Sequence, residues 1–288
     1  MSIIVRDLIQ MAETQLETYG KENAKVDAEL IFRHCFSVDK AGFFKLWGTR
    51  FDESEIEQYL QVVEIRAGGV PLQHITGEQE FMGLTFLVSP KVLIPRQETE
   101  VLVNQVIEII EERKKHCDVL DLGCGSGAIG VSLAKLCKNV TIKASDISAD
   151  AIGVAKRNAR NIGVEKKITF VQGDLFEPFD KFLRKEKFDI IVSNPPYIKS
   201  SVIPELQVEV RDHEPLLALD GGEDGLSYYR KIIEKAPSHL KKGGTLALEI
   251  GHDQAGDIME IVKEHGKFIN GKFLRDLAGK DRVMLLYL

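Results

Sequence analysis

The sequence predicts an α/β fold, with a mainly parallel sheet, helices on both faces and a small helical bundle ahead of it. Three observations carry this. From Val119 onward, short apolar runs alternate with stretches of helical periodicity. The first run ends in a glycine loop, Gly123-Cys124-Gly125-Ser126-Gly127, that leads into a helix. The fourth ends at Pro195-Pro196, where a sheet ladder must stop because proline has no N–H to donate.

The elements follow in order. Residues from Ile3 to about Ala67 have helical spacing, seen at Ile4, Leu8, Met11 and Leu16, at Ala28, Ile31 and Cys35, and at Ile56, Leu60 and Val63. Gly68-Gly69-Val70-Pro71 breaks that pattern and marks a domain boundary. Phe81 to Val88 reads as two short extended segments forming a hairpin. A helix over Val101–Ile110 ends in the charged run Glu111-Glu112-Arg113-Lys114-Lys115. Strands are expected at Val119–Leu122, Thr141–Ser145, Ile168–Gln172, Phe188–Val192 and Thr245–Glu249. Helices are expected near Ala128–Leu136, Ala149–Asn161, Leu226–Leu240 and Gln254–Glu264. Phe268–Asp276 and Arg282–Leu288 close the chain as an antiparallel hairpin. No internal repeat or low-complexity segment interrupts this order.

Composition excludes several function classes. A chain of 288 residues can bury a full core and holds one large and one small domain. The net charge of -6 argues against non-specific duplex-DNA binding, which needs a basic face. The four cysteines, Cys35, Cys117, Cys124 and Cys137, include no CxxC pair, and the seven histidines are scattered, so no metal site is expected. A reduced, cytoplasmic setting is the simple reading. Met1-Ser2-Ile3-Ile4-Val5-Arg6-Asp7 is too charged to begin a secretory signal, and no apolar run reaches membrane-spanning length.

Two sites of chemistry stand out. The glycine loop allows close approach of a ligand to backbone, and the helix start after it offers free N–H groups. Alone it is weak evidence, because dinucleotide folds use similar loops. Asp121 at the first strand end could receive an ammonium group. Asp146 at the second could receive ribose hydroxyls. Gly173-Asp174-Leu175 at the third could read an adenine edge. Together these groups, with Gly123, Cys124, Gly125, Ser126 and Gly127, describe S-adenosylmethionine; a structural turn without a cofactor is the plainer alternative. The second site is Asn194-Pro195-Pro196-Tyr197. The Asn194 side chain and the Pro195 carbonyl are two fixed acceptors at a strand's end with an aromatic beside them, which suits a planar NH2 group. A stiff turn with a packed tyrosine is its plain alternative.

These residues resemble a known family. The glycine loop with an acidic second strand end is similar to class I (Rossmann-like) S-adenosylmethionine-dependent methyltransferases. The N-P-P-Y tetrad narrows the likeness to enzymes acting on planar nitrogen. The remainder resembles the HemK/PrmC family, which methylates the glutamine of the Gly-Gly-Gln loop in class I peptide chain release factors. Pro71-Leu72-Gln73-His74-Ile75-Thr76-Gly77 looks like its linker, and Leu93-Ile94-Pro95-Arg96-Gln97-Glu98-Thr99-Glu100 like its P-R-P-[ED]-T-E segment. Glu209-Val210-Arg211-Asp212-His213-Glu214-Pro215, Ala218-Leu219-Asp220-Gly221-Gly222 and Lys280-Asp281-Arg282-Val283 match later stretches. Gln97 departs from the family's proline.

The resemblance implies three regions: a helical substrate-recognition domain over 1–69, a linker with its hairpin over 70–95, and the methyltransferase domain over 96–288. It implies S-adenosylmethionine as cofactor, with S-adenosylhomocysteine as product. It implies class I release factors as partners of a cytoplasmic monomer without stable nucleic-acid binding. Asn194 would serve both substrate and cofactor. Pro195, Pro196 and Tyr197 would complete the catalytic pocket. Arg96 and Glu98 would touch substrate, or simply pair with each other. Adenine-N6 or guanine-N2 methylation of nucleic acid is the competing activity, requiring base extrusion and a basic track. A non-catalytic adaptor is the third reading.

Overall fold

The computed structural model describes residues 2–180 and 185–288; Met1, which opens the segment weighed above as a signal, lies outside the described residues. The chain forms two compact units. One comprises residues 1–78 with 207–213, the other 79–206 with 214–288.

The smaller unit is helical. It contains β1 (Ile3–Ile4), α1 (Val5–Thr18), α2 (Ala24–Cys35), α3 (Lys40–Leu46), β2 (Arg50–Phe51), α4 (Glu53–Ala67) and α5 (Leu72–Thr76). The expected helical span is thus interrupted by a two-residue antiparallel pair, Ile3 with Phe51 and Ile4 with Arg50. Asp52 starts α4 with a capping box: its side chain accepts from Glu55 N–H, and the Glu55 carboxylate accepts from Asp52 N–H. Phe32 sits among the rings of Phe36, Phe43, Phe51 and Tyr59. The buried Tyr59 hydroxyl donates to the Ala28 carbonyl at 2.9 Å.

A remote segment completes this unit. Within residues 207–213 lies α9 (Val208–Arg211). Glu209 there accepts from Lys21 Nζ at 2.7 Å and from Arg66 Nη1 at 3.0 Å. Gly69 has φ +105°, and a Cβ on it would lie 2.7 Å from Val208 Cγ1. The glycine therefore serves left-handed backbone and close contact at once.

The larger unit opens with the hairpin of β3 (Glu78–Phe81) and β4 (Leu84–Leu87). Its turn residues, Met82 and Gly83, both have positive φ, the conformation that matches strand twist in a two-residue connection. Next come α6 (Thr99–Arg113), β5 (Cys117–Leu122), α7 (Ala128–Leu136), β6 (Val140–Asp146), α8 (Ala149–Ile162), β7 (Ile168–Gln172) and β8 (Phe188–Ser193). The chain then continues through α10 (Ser227–His239), β9 (Leu240–Glu249), α11 (Ala255–His265), β10 (Asn270–Arg275) and β11 (Asp281–Tyr287).

The seven strands run in the order β10-β11-β9-β8-β5-β6-β7. Pairs among β5 to β9 are parallel, and β11 joins β9 and β10 antiparallel. Both faces are covered. Cys117 and Val119 of β5 join the core under α6, α7 and α8, while Leu120 and Leu122 join the core under α10 and α11. From β5 the chain moves outward through β6 and β7, then returns to β8 on the other flank. The sheet's switch point is therefore between β5 and β8, where Leu122 lies opposite Ser193. Open α/β sheets bind ligands just beyond such a point. No helix among the described residues is long and apolar enough to cross a membrane.

Candidate active site

A cavity opens at this switch point. Its wall includes Gly123, Gly125, Asp146, Asp174, Leu175, Asn194, Pro195 and Pro196. The residues picked from three strand ends and the tetrad therefore meet in one place. Gly123 has φ +68° and Gly125 φ +54°, and a Cβ on either would meet no protein atom within 4 Å. These glycines are required by backbone conformation, and a side chain would project into the cavity rather than into protein.

Asp146 braces the loop. One carboxylate oxygen accepts from Gly125 N–H at 2.8 Å and the other from Ser148 N–H at 2.9 Å. Burial raises its pKa, and those two backbone bonds oppose the rise. Leu175 holds a left-handed conformation, φ +46°, and its carbonyl accepts from the Ser145 hydroxyl at 3.3 Å. Gly173 packs under Pro178, where a Cβ would come within 2.4 Å of Pro178 Cγ.

Four expected cofactor residues lie behind the wall instead. Asp121 is fully buried; one oxygen accepts from Gly130 N–H at 2.9 Å, and Oδ1 is buried without a partner. Burial lifts its pKa to about 7. Cys124 is buried with its N–H on the Ser145 carbonyl. The Ser126 carbonyl accepts from Asn158, whose amide also pairs with both polar groups of Leu87 on β4. Gly127 caps α7 at φ +81°, tight against Ala155 and Val131.

The tetrad is braced on all sides. Ser193 donates to the Leu122 carbonyl at 2.7 Å, tying β8 to β5 just before Asn194. Asn194 Nδ2 donates to Thr99 Oγ1 at 3.2 Å. The Tyr197 hydroxyl donates to Glu249 Oε1 at 3.3 Å, and the Tyr197 carbonyl accepts from Gln254 Nε2 at 3.0 Å. Burial, then the neighbouring Glu249 charge, raises the Tyr197 pKa, so this phenol stays protonated. The ring thus packs with the core under α10 and α11, and Tyr197 is not among the residues that line the cavity.

Arg96 and Glu98 do not pair. Arg96 forms an ion pair with Glu214, which also accepts from Ile94 N–H at 3.3 Å. Glu98 is exposed at the start of α6. Gln97, where a proline was expected, is exposed, and its carbonyl accepts from Glu100 N–H at 3.0 Å. The turn therefore closes without that proline. The cavity also takes in Lys91, Ile147, Leu217 and Tyr228, which the sequence did not single out. Lys91, Ile147 and Leu217 lie outside the regular strands and longer helices, where spacing carries no periodic signal, and Tyr228 sits in the first turn of α10.

Comparison with known proteins agrees with this architecture. Residues 7–77 match the PrmC N-terminal domain, and residues 113–283 a methyltransferase domain. The release factor glutamine methyltransferase of Clostridium acetobutylicum is 40% identical over 98% of this chain and 97% of its own. That of Moorella thermoacetica is 40% identical over 98% of each. Among solved structures, an S-adenosylmethionine-dependent methyltransferase from Agrobacterium tumefaciens superposes with a TM-score of 0.50 at 17% identity. It covers 73% of this chain and 68% of its own, a likeness of fold. By the length and level of identity with its relatives, the chain belongs to the release factor glutamine methyltransferase family.

Proposed function

We propose that the enzyme transfers a methyl group from S-adenosylmethionine to the side-chain amide nitrogen, N5, of the glutamine in the Gly-Gly-Gln motif of class I peptide chain release factors. One observation carries this most directly. Asn194 commits Nδ2 to Thr99, which leaves Oδ1 as its remaining polar atom at the cavity where the glycine loop also opens.

The residues fit the cofactor. Gly123 and Gly125 leave open space where side chains would stand, and Asp146 and Asp174 offer acceptors on the same wall. Asp121 keeps one carboxylate oxygen without a protein partner behind the loop. The bound cofactor would supply an electrophilic methyl on a sulfonium. Gly123, Gly125, Asp146, Asp174 and Leu175 would hold it.

The chain's own work is positioning. An amide nitrogen is a poor nucleophile because its lone pair is delocalised into the carbonyl. Asn194 Oδ1 and the Pro195 carbonyl accept the two amide N–H bonds, aiming the nitrogen and favouring positive charge as it develops. Pro196 stiffens the peptide that presents them. Tyr197, anchored through Glu249, sets the position of the turn. The surplus proton leaves to solvent after transfer. The helical unit supplies a second contact to the release factor, since a short loop offers little surface. On this reading the enzyme works as a cytoplasmic monomer.

The test is radiolabelled methyl transfer to purified release factor, to the same factor with its loop glutamine replaced, and to DNA and RNA. Label on the intact factor alone is expected. Label on nucleic acid, or on the factor without its glutamine, overturns the reading.

A further inference from the structure

The side-chain hydrogen bond at the last residue of the tetrad leads to the end of β9. Glu249, the last residue of that strand, is 1% exposed. Its Oε1 accepts from the Tyr197 hydroxyl at 3.3 Å, and its backbone carbonyl accepts from the Tyr229 hydroxyl at 3.0 Å. Thr99, buried at the start of α6, lies beside this carboxyl and opposes the effect of burial on its pKa, while Glu249 Oε2 itself has no hydrogen-bond partner. Thr99 Oγ1 in turn accepts from Asn194 Nδ2 at 3.2 Å. The tetrad is therefore held at its first residue by Thr99 and at its last by Glu249, both buried.

The chemistry of an asparagine amide gives this arrangement a purpose. Its two ends are nearly identical in shape and opposite in hydrogen-bonding sense. A hydroxyl can face either end. Here the Thr99 hydroxyl oxygen accepts, so it meets the NH2 end of the asparagine. The oxygen end is then turned away, to wherever an N–H donor must be held.

We propose that Glu249 and Thr99 are positioning residues for methyl transfer: Thr99 holds the Asn194 amide by its NH2 end, with the oxygen left for substrate, and Glu249 holds the Tyr197 hydroxyl at the other end of the tetrad. The inference rests on the function proposed above and extends it to two residues that need not touch substrate. Neither lines the cavity. Burial is the first influence on the carboxyl of Glu249 and raises its pKa, while Thr99, Arg282 of β11 and Tyr197 act the other way.

The experiment uses the full chain with purified release factor and wild type alongside. Thr99→Val removes the acceptor while keeping the shape, and should lower kcat about a hundredfold, the cost of misplacing a reacting group by about 1 Å. Thr99→Ser keeps the hydroxyl and should remain within about threefold of wild type, a ratio chosen to stand well clear of that hundredfold loss. Glu249→Ala should match Thr99→Val, and Glu249→Gln, which keeps an acceptor at Oε1, should recover most of the loss. Cofactor affinity by calorimetry and KM for release factor should hardly move in any of them. A merely structural role would lower both together, or affect Thr99→Ser as much as Thr99→Val. Wild-type kcat in folded Thr99→Val overturns the proposal, as does equal loss in Thr99→Ser. If Glu249→Ala does not fold, Tyr197→Phe, which removes only the hydroxyl that donates to Glu249, takes its place, and wild-type kcat in it overturns the role of Glu249. Failure of the wild type to methylate release factor would instead remove the function on which the inference rests.

Discussion

Asn194 carries the chemistry proposed for this chain, and its loss should be read in turnover. Asn194→Ala removes an orienting acceptor that matters most when charge develops on nitrogen. Transition-state stabilisation should fall by roughly 2–4 kcal/mol, by analogy with removing one oxyanion-hole donor. Cofactor affinity, which the proposal places on residues at the ends of β5 to β7, should change little. Steady-state kinetics under saturating substrates checks this, and near-normal kcat would remove the assigned role. Arg96 shows how a local motif can hide a distant partner. Its motif left open substrate contact or an ion pair with Glu98, two positions away; the ion pair it makes is with Glu214, 118 positions on. Short-range spacing cannot report a bond made by chain return.

The strands and their terminal loops were largely legible because both faces of the sheet are buried and apolar runs have clear ends. Bounds moved mainly at β9, which begins at Leu240 rather than Thr245. Lys241, Lys242, Gly243 and Gly244 disguised that extension as loop. The β1–β2 pair was invisible, since two residues make no period. What strand-end polar residues do was less legible still. Asp121, read as a ligand group, is fully buried behind the loop and keeps one carboxylate oxygen unpartnered; Glu249, read only as a strand end, accepts from the tetrad's tyrosine. Burial carries the pKa of each to about 7. Glu249 sits among Thr99 and Glu98 of α6, Arg282 of β11 and Tyr197. For an acid whose folded pKa is raised, the folded chain keeps a proton that the unfolded chain has lost. Stability is then fullest below the ordinary carboxyl range and declines as pH rises toward 7. In Glu249→Gln that decline should be reduced. Relative to the variant, wild type should lose roughly 3 kcal/mol between pH 4.5 and 7. Denaturant unfolding of both proteins across that range reads the gap; a gap independent of pH would mean that Glu249 does not titrate there.

Across the whole chain, the helical unit is expected to supply the affinity that a three-residue loop motif cannot. Docking there would offset part of the entropy cost of holding the glutamine in place. Deleting residues before Gly69 should therefore weaken methylation of intact release factor much more than cofactor binding. Rates at sub-saturating release factor, taken on a truncation that calorimetry shows still binds cofactor, give the comparison; an unchanged rate would leave the unit with a stabilising role only. That truncation strands Glu209, whose cationic partners Lys21 and Arg66 it removes. The same ion pairs set an order of events at the ribosome. Arg66 is translated 143 residues before Glu209. At about 5–20 residues per second, the bundle emerges on the order of ten seconds before its last segment exists. Through that interval Arg66 can rely on Asp27 but not on Glu209, and β5 to β8 have already been made when the segment arrives. The helical unit, made ahead of the sheet, is thus completed only after the sheet's first four parallel strands exist, in an enzyme whose relatives are named for release factors.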